Sequence, residues 1–312
     1  MGAYVLRRLM LVVPVLLLVS LIVFTLSYHM PGDPARLLMG QAADEETLAL
    51  KRAELGLDRP FGVQYVSYLG KLARGDLGKS YAKKGKGVGE IVRESFAVTL
   101  RLAVLATLVS IVFGIAAGVA AAVKPYSWVD YGSMLLALLG VSLPVFYLGF
   151  LLIVFVARNV GLRTAGFDDA TLWSQFASLL LPAIALGALS TAIVARLTRS
   201  TMLEILGQDF VRTARAKGLA ERAVVLRHAL RNAAIPIVTV VGANLGGLLM
   251  GAVLTETVFS LPGLGREIVN AIFQRDRELI AGGVLFMSLI FVAVNLAVDL
   301  TYAWFDPRVR YE

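Results

Sequence analysis

Six stretches of this chain are too apolar and too long for a water-soluble fold to hide. They run over about Val5–Ser27, Phe96–Val123, Gly132–Ala157, Ser178–Leu197, Ile235–Thr257 and Leu279–Trp304. A helix needs roughly 20 apolar residues to cross the hydrocarbon of a bilayer, and each run meets that length. The runs are continuous rather than alternating, so the backbone must satisfy its polar groups as helices and not as barrel strands. The expected fold is all-α and integral to the membrane, with six spanning helices. Composition agrees, at 58% hydrophobic and a mean hydropathy of +0.75, against about 45–50% apolar for soluble domains.

The first run follows Arg7 and Arg8 but is too long for a signal-peptide core, and "SYHMPGDPA" offers no cleavage site. It is expected to stay as a membrane helix. The net charge of +8 reads as topology, not as nucleic-acid binding. An inside N-terminus puts Arg7, Arg8, Lys124, the block Arg196 to Arg231, Arg308 and Arg310 in the cytoplasm. The short outer loops then hold Arg158, Arg163, Arg266, Arg275 and Arg277, which satisfies the positive-inside rule with both termini cytoplasmic. The chain contains no cysteine, and His29 and His228 lie in separate segments without ligand spacing. Thiol, disulfide and zinc-finger chemistry are excluded on that ground.

Residues 29–95 leave the membrane as an expected small extracytoplasmic helical subdomain. Within it, "DEETLALKRAELG" predicts a short helix stopped by Gly56. A second helix is expected over Asp58–Ala73, with Asp58 as N-cap and Pro60 in its first turn. The stretch "ARGDLGKS" (73–80) falls one residue short of a phosphate-cradling loop. No buried strand precedes it, and its first glycine is replaced by Ala73, so Gly75 and Gly78 are read as a helix end and turn.

Small residues recur in the spans. Gly114 and Gly118 lie four apart, and Gly242, Gly246, Gly247 and Gly251 share one run. Such spacing lets helix backbones approach closely in lipid, either within this chain or against another subunit. Pro14, Pro144 and Pro182 mark kinks or entries. Ionisable and polar groups near the spans are few: Asp299, Asn295, Glu256, Arg101 and Arg196. They read as anchors or helix pairs, which gives an ion-coupled carrier little to work with.

The segment "GQDFVRTARAKGLAERAVVLRHALRNAAIP", Gly207 to Pro236, is the most unusual. It reads as two helices bent at Gly218, with Ala214, Ala216 and Ala220 beside the bend. Leu219, Ala223, Leu226 and Leu230 are expected to form one apolar stripe, and Arg212, Arg215, Arg222, Arg227 and Arg231 occupy other surfaces. Such a segment suits either an anionic lipid surface or a partner's groove.

At these residues the chain resembles the permeases of binding-protein-dependent ABC importers, in particular the first of the paired permeases of dipeptide, oligopeptide and nickel systems. The broad family carries Glu-Ala-Ala, three residues, Gly, and a later hydrophobic-Pro. Here Arg212-Thr213-Ala214, Gly218 and Ile235-Pro236 match, with the leading Glu-Ala replaced. "MPGDPA", "QYVSYLGKLARGDLGKS", "ETVFSLPGLG" and "NLAVDLTYAWFDPRVR" extend the resemblance over nearly the whole chain.

The resemblance implies the type I ABC importer permease fold, divided as 1–28 (first spanning helix), 29–95 (outer subdomain), 96–304 (core, with cytoplasmic coupling segment 198–234) and 305–312 (tail). It implies a permease of a bacterial inner membrane, with no catalytic, cofactor or metal site of its own. ATP and Mg would be used by two separate ATP-binding subunits. Those subunits would dock at Arg212, Thr213, Ala214, Ala216, Lys217, Gly218, Leu219, Ala220 and Arg222. A homologous second permease would pack against Gly114, Gly118, Gly242, Gly246, Gly247 and Gly251. An extracytoplasmic substrate-binding protein would meet Glu256, Pro262, Gly263 and Gly265. Peptides, nickel chelates, glutathione and opines remain open as solutes. An ion-coupled carrier and a non-transporting scaffold are the rival readings.

Overall fold

The structure is a computed structural model. It describes residues 2–305 except Gln41 and Lys84, with side chains described from Met10 to Val298. The side chains of Arg7, Arg8 and Asp299, and the whole tail from residue 306 with Arg308 and Arg310, lie outside the described residues.

Helices make up nearly all of the regular backbone. They are α1 (Gly2–Tyr28), α2 (Pro34–Met39), α3 (Glu45–Leu55), α4 (Phe61–Leu72), α5 (Val88–Val123) and α6 (Trp128–Ser142). α7 (Val145–Leu151) passes through a π-helical turn at Leu152–Ala157 into α8 (Arg158–Val160). α9 (Leu172–Leu206) is followed by α10 (Asp209–Ala216) and α11 (Glu221–Ala223). A second π turn at Val224–Ala229 then leads into α12 (Leu230–Val258), and α13 (Leu264–Gln274) and α14 (Arg277–Phe305) complete the chain.

Among the described residues, five stretches are long and apolar enough to span a membrane: Met10–Tyr28, Val88–Val123, Leu172–Leu206, Glu221–Val258 and Arg277–Val298. The third expected span is not straight. Trp128–Ser142 and Val145–Val160 meet at a 113° bend. Pro144 explains it: Leu143, forced out of the helical region before a proline, has ψ of 127°, and the next helix starts afresh behind Pro144.

The chain separates into two compact units. One comprises residues 1–99 and 262–293, the other 100–261 and 294–312. The subdomain expected over 29–95 thus shares a unit with α1, α13 and most of α14.

In the first unit, Asp44 caps α3 by accepting from the Thr47 amide, and Gly56 ends it at φ +69°. The expected Asp58 cap is not used. α4 begins at Phe61 behind Pro60, with no side-chain cap, and Gln64 instead reaches back to the Leu57 and Arg59 carbonyls. Tyr65 and Tyr68 pack on Phe24 of α1, with centroids 5.3 and 5.2 Å away.

In the second unit α9 is the axis, with 61% of its most apolar window buried. Trp173 is exposed at its start, and Trp128, Tyr126 and Tyr131 are exposed where α6 pairs with its end. Trp173 and Arg199 are roughly 39 Å apart at 1.5 Å per residue, about a bilayer with its headgroups. Aromatic side chains at both levels suit the two interfaces.

Candidate functional site: a bent hairpin and its surroundings

The hairpin over residues 209–229 is built by a turn that needs glycine. The Leu219 amide donates to the Ala214 carbonyl and the Gly218 amide to that of Arg215, which closes α10 in a Schellman motif. Gly218 sits at φ +77°, a conformation that costs other residues about 1–2 kcal/mol. Nothing lies within 4 Å of a Cβ placed there. Gly218 is therefore required by backbone geometry, and its surface is open.

One side of the hairpin is locked inward. Val211, Ala214, Val224, Val225, Ala229, Ala233 and Ile237 form a buried cluster with Met202 and Ile205 of α9. Ala214 thus belongs to the core and leaves the docking surface expected of it. The expected stripe is also corrected, since Leu219 and Leu226 are 43% and 46% exposed. The buried positions 224, 229, 233 and 237 are spaced five, four and four. The spacing of five is the π turn, whose wider winding shifts the register that a regular helix would keep.

The other side faces out. Arg212, Thr213, Ala216, Lys217, Gly218, Leu219, Ala220 and Arg222 are all exposed, together with Phe210, Leu226 and Arg227. Arg215 clamps the two arms by donating from Nε and Nη2 to the Glu221 carboxylate at 3.1 and 2.7 Å. That bond raises the Arg215 pKa above its ordinary value; Arg212 pairs with Asp209 at 3.5 Å, and no ion pair joins Lys217, Arg222 or Arg227 to another of the described residues. The face is small, apolar in patches and positively charged. Phe210 and the Arg215–Glu221 clamp were not singled out from sequence, although an acid and a base on either side of a helix-ending glycine are a visible signal.

The glycines of the spans are mostly used within the chain. A Cβ on Gly114 would come within 2.8 Å of Val194 Cβ, and one on Gly118 within 2.5 Å of Thr198 Cβ. Both seat α5 on α9, so their faces are not free for a second subunit. Gly242 lies against Val298 and Gly251 against Leu186, at 3.2 and 3.4 Å from a Cβ placed there, and Gly246 is buried. Gly247 alone of the six is exposed with open space beside it.

Of the residues expected to meet a binding protein, Pro262 is exposed, whereas Glu256, Gly263 and Gly265 are buried. The exposed apolar groups nearby are Ile272 and Phe273, the latter 81% exposed, at the end of α13.

The "GDLGKS" stretch is a structural clasp. Ser80 Oγ donates to Asp276 Oδ2 at 2.5 Å, and the Ala82 amide reaches the same oxygen. Tyr81 donates to Glu278 Oε1 at 3.0 Å; burial and that carboxylate raise its pKa. Glu278 Oε2 lies only 2.5 Å from where a Gly78 Cβ would sit. Two carboxylates occupy the place a phosphate would need.

Comparison with known proteins decides the lineage. Residues 92–311 match the family described as "Binding-protein-dependent transport system inner membrane component", and residues 1–112 match its N-terminal companion. The chain belongs to this family. This permease is 42% identical to the dipeptide transport system permease protein DppB of Alkalihalophilus pseudofirmus, over 100% of both chains. It is 41% identical to the glutathione transport system permease protein GsiC of Escherichia coli K12, over 99% of both. Its fold resembles a chain of the inward-facing MetNI methionine ABC transporter, with a TM-score of 0.54, 18% identity, and 68% of this chain and 94% of that one covered. A chain of an amino acid ABC transporter solved with histidines gives 0.50 and 16%, covering 70% and 94%. The type I importer fold expected from sequence is thereby met.

Proposed function

We propose that this permease is one of two membrane subunits of an ATP-driven importer of short peptides, and that it is gated through the hairpin at Gly218. The observation that carries the reading is the division of that hairpin. One face is welded to α9 and α12, while the opposite face is left exposed, small and cationic. A push on Leu219 and its neighbours is then transmitted through Val211, Ala214, Val224 and Val225 to the spanning helices. Two ATP-binding subunits supply the push from the cytoplasmic face, using ATP and Mg at sites of their own. The membrane bundle answers by switching between two states that the partners bind differently.

In this reading the permease lies in the bacterial inner membrane with both termini cytoplasmic, as its basic residues suggest. The second permease packs along the face of α12 that carries Gly247, Met250 and Leu254. The binding protein meets Pro262 and the Phe273 end of α13. Peptidic solutes are favoured because relatives named for a dipeptide and for glutathione match along the full length.

The test is substitution of Gly218 by Glu or Trp in the assembled importer. Membrane insertion is expected to be unchanged, while co-purification of the ATP-binding subunits and ATP-dependent peptide uptake are lost. Normal uptake by either variant overturns the assignment.

A further inference from the structure

A groove of about 640 Å³ opens beside α1, lined among others by Val13, Leu17, Leu72, Leu285, Phe286 and Leu289. Its volume lies within the roughly 300–1,000 Å³ of ligand sites. Ser20, a polar side chain in its wall, is already satisfied, donating to the Leu17 carbonyl at 2.8 Å and sharing a hydrogen with the Tyr65 hydroxyl at 2.9 Å. Nothing there recognises a polar solute. Two of its walls are α1 and α14, both membrane-spanning, and only 17% of the apolar window of α1 is buried. The groove therefore opens to hydrocarbon.

Its mouth is charged. α4 ends in a turn at Gly75, where the Asp76 amide donates to the Lys71 carbonyl. Ala73 and Gly75 line the groove, and Lys71 and Arg74 stand exposed beside them in the chain; Lys71 lies within electrostatic reach of the buried Glu278, and Arg74 is in no ion pair among the described residues. The one acid of the turn, Asp76, accepts from the Gly78 amide. Exposed cations at the end of an apolar groove belong in the headgroup layer, where long side chains reach phosphate.

We propose that this groove holds an acyl chain of an anionic phospholipid, whose phosphate is met by Lys71 and Arg74. The site is independent of which solute the permease carries. Cations near a membrane surface each contribute enough to favour an anionic lipid on the order of fivefold.

The absence of cysteine makes the test direct. Ala73→Cys is labelled with bimane in the full-length permease, co-expressed with its partner subunits and placed in lipid nanodiscs. Brominated phosphatidylglycerol is expected to quench the label at a several-fold lower mole fraction than brominated phosphatidylcholine. Lys71→Glu with Arg74→Glu should erase that difference, and Leu289→Phe, which narrows the groove, should weaken quenching by both. Equal quenching of the parent by the two lipids overturns the headgroup contact. Absence of quenching by either, or a crosslink from the unlabelled thiol of Ala73→Cys to a partner subunit, overturns the site itself.

Discussion

Arg199 holds Asp130 in a two-point fork, Nε and Nη2 each donating to a carboxylate oxygen at 2.6 Å. The same carboxylate accepts from the Tyr126 amide at 2.9 Å, where the chain turns with φ +59° into α6. The Asp130 side chain is 3% exposed and that of Arg199 25%. One acid therefore fixes the entry of α6, the turn before it and the end of α9. Asp130→Leu is expected to destabilise the permease by about 1–2 kcal/mol, through loss of the charge-assisted fork and of the acceptor for the Tyr126 amide, because the remaining Arg199 is exposed enough to be hydrated. Adding Arg199→Met should cost little more once the fork is gone. Thermal unfolding of the two single variants and the double variant measures the coupling, and simple additivity would show that the fork is incidental.

The glycines divide by what lies beside them. A Cβ on Gly187 would sit 2.7 Å from the Ala106 carbonyl oxygen and one on Gly118 2.6 Å from that of Ala195. Backbone atoms cannot yield as a flexible side chain does. Gly118→Ala and Gly187→Ala should each cost about 1–3 kcal/mol, the usual range for overpacking. Gly247→Leu meets open space and should leave the isolated chain as stable as the parent while weakening assembly with a second permease. Melting of the isolated chain beside co-purification of the assembly separates the two classes.

Most of the architecture was legible because membrane spans announce themselves by length and apolarity. The α3 helix was legible too, with Asp44 before it and Gly56 after it, and so was the bend at Gly218. What stayed hidden depended on neighbours far along the chain. Nothing local to Gly114 tells whether Val194 or another subunit meets it. Glu256 sits at a helix end, where charge usually faces water, yet it is fully buried. Leu219 and Leu226 fell on a regular 3.6-residue stripe, but Leu219 lies in the turn between α10 and α11, and the π turn moved Leu226 off it. Asp58 had the chemistry of a cap, but the helix started behind Pro60. The candidate site was found by its glycine and its arginines; which face it presents was not.

Acid should loosen the first unit through Asp33. Burial alone would raise its pKa, but Arg52 donates from Nε and Nη2 at 2.8 and 2.6 Å and the Ala35 amide adds a third bond. The net shift is downward. A depressed folded pKa adds stability above the unfolded value of about 3.9 and loses it as pH falls through the folded value. The pair is partly exposed, at 36% for Arg52 and 25% for Asp33, so the contribution is at most about 1 kcal/mol. Unfolding followed from pH 6 downward should show a steeper loss in the parent than in Asp33→Asn. Parallel curves would remove Asp33 from the account.

The π turn makes a prediction that a regular helix would not. Val224 and Ala229 are both fully buried although five residues apart, because the turn accommodates one residue more than an α-helix does. Leu226, inside the turn, is exposed. Deleting it should convert the turn to α-helix and leave the buried positions on either side facing inward at a spacing of four. Deleting Thr239, in the regular part of α12, shifts every later position by about 100° around the axis, one residue of a 3.6-residue turn, and turns Gly246, Leu248 and Leu249 off the core. The first deletion should therefore yield inserted protein with near-parental melting and the second should not. Equal loss of folded protein in the two would show that the π turn is not a single-residue insertion in the register of this helix.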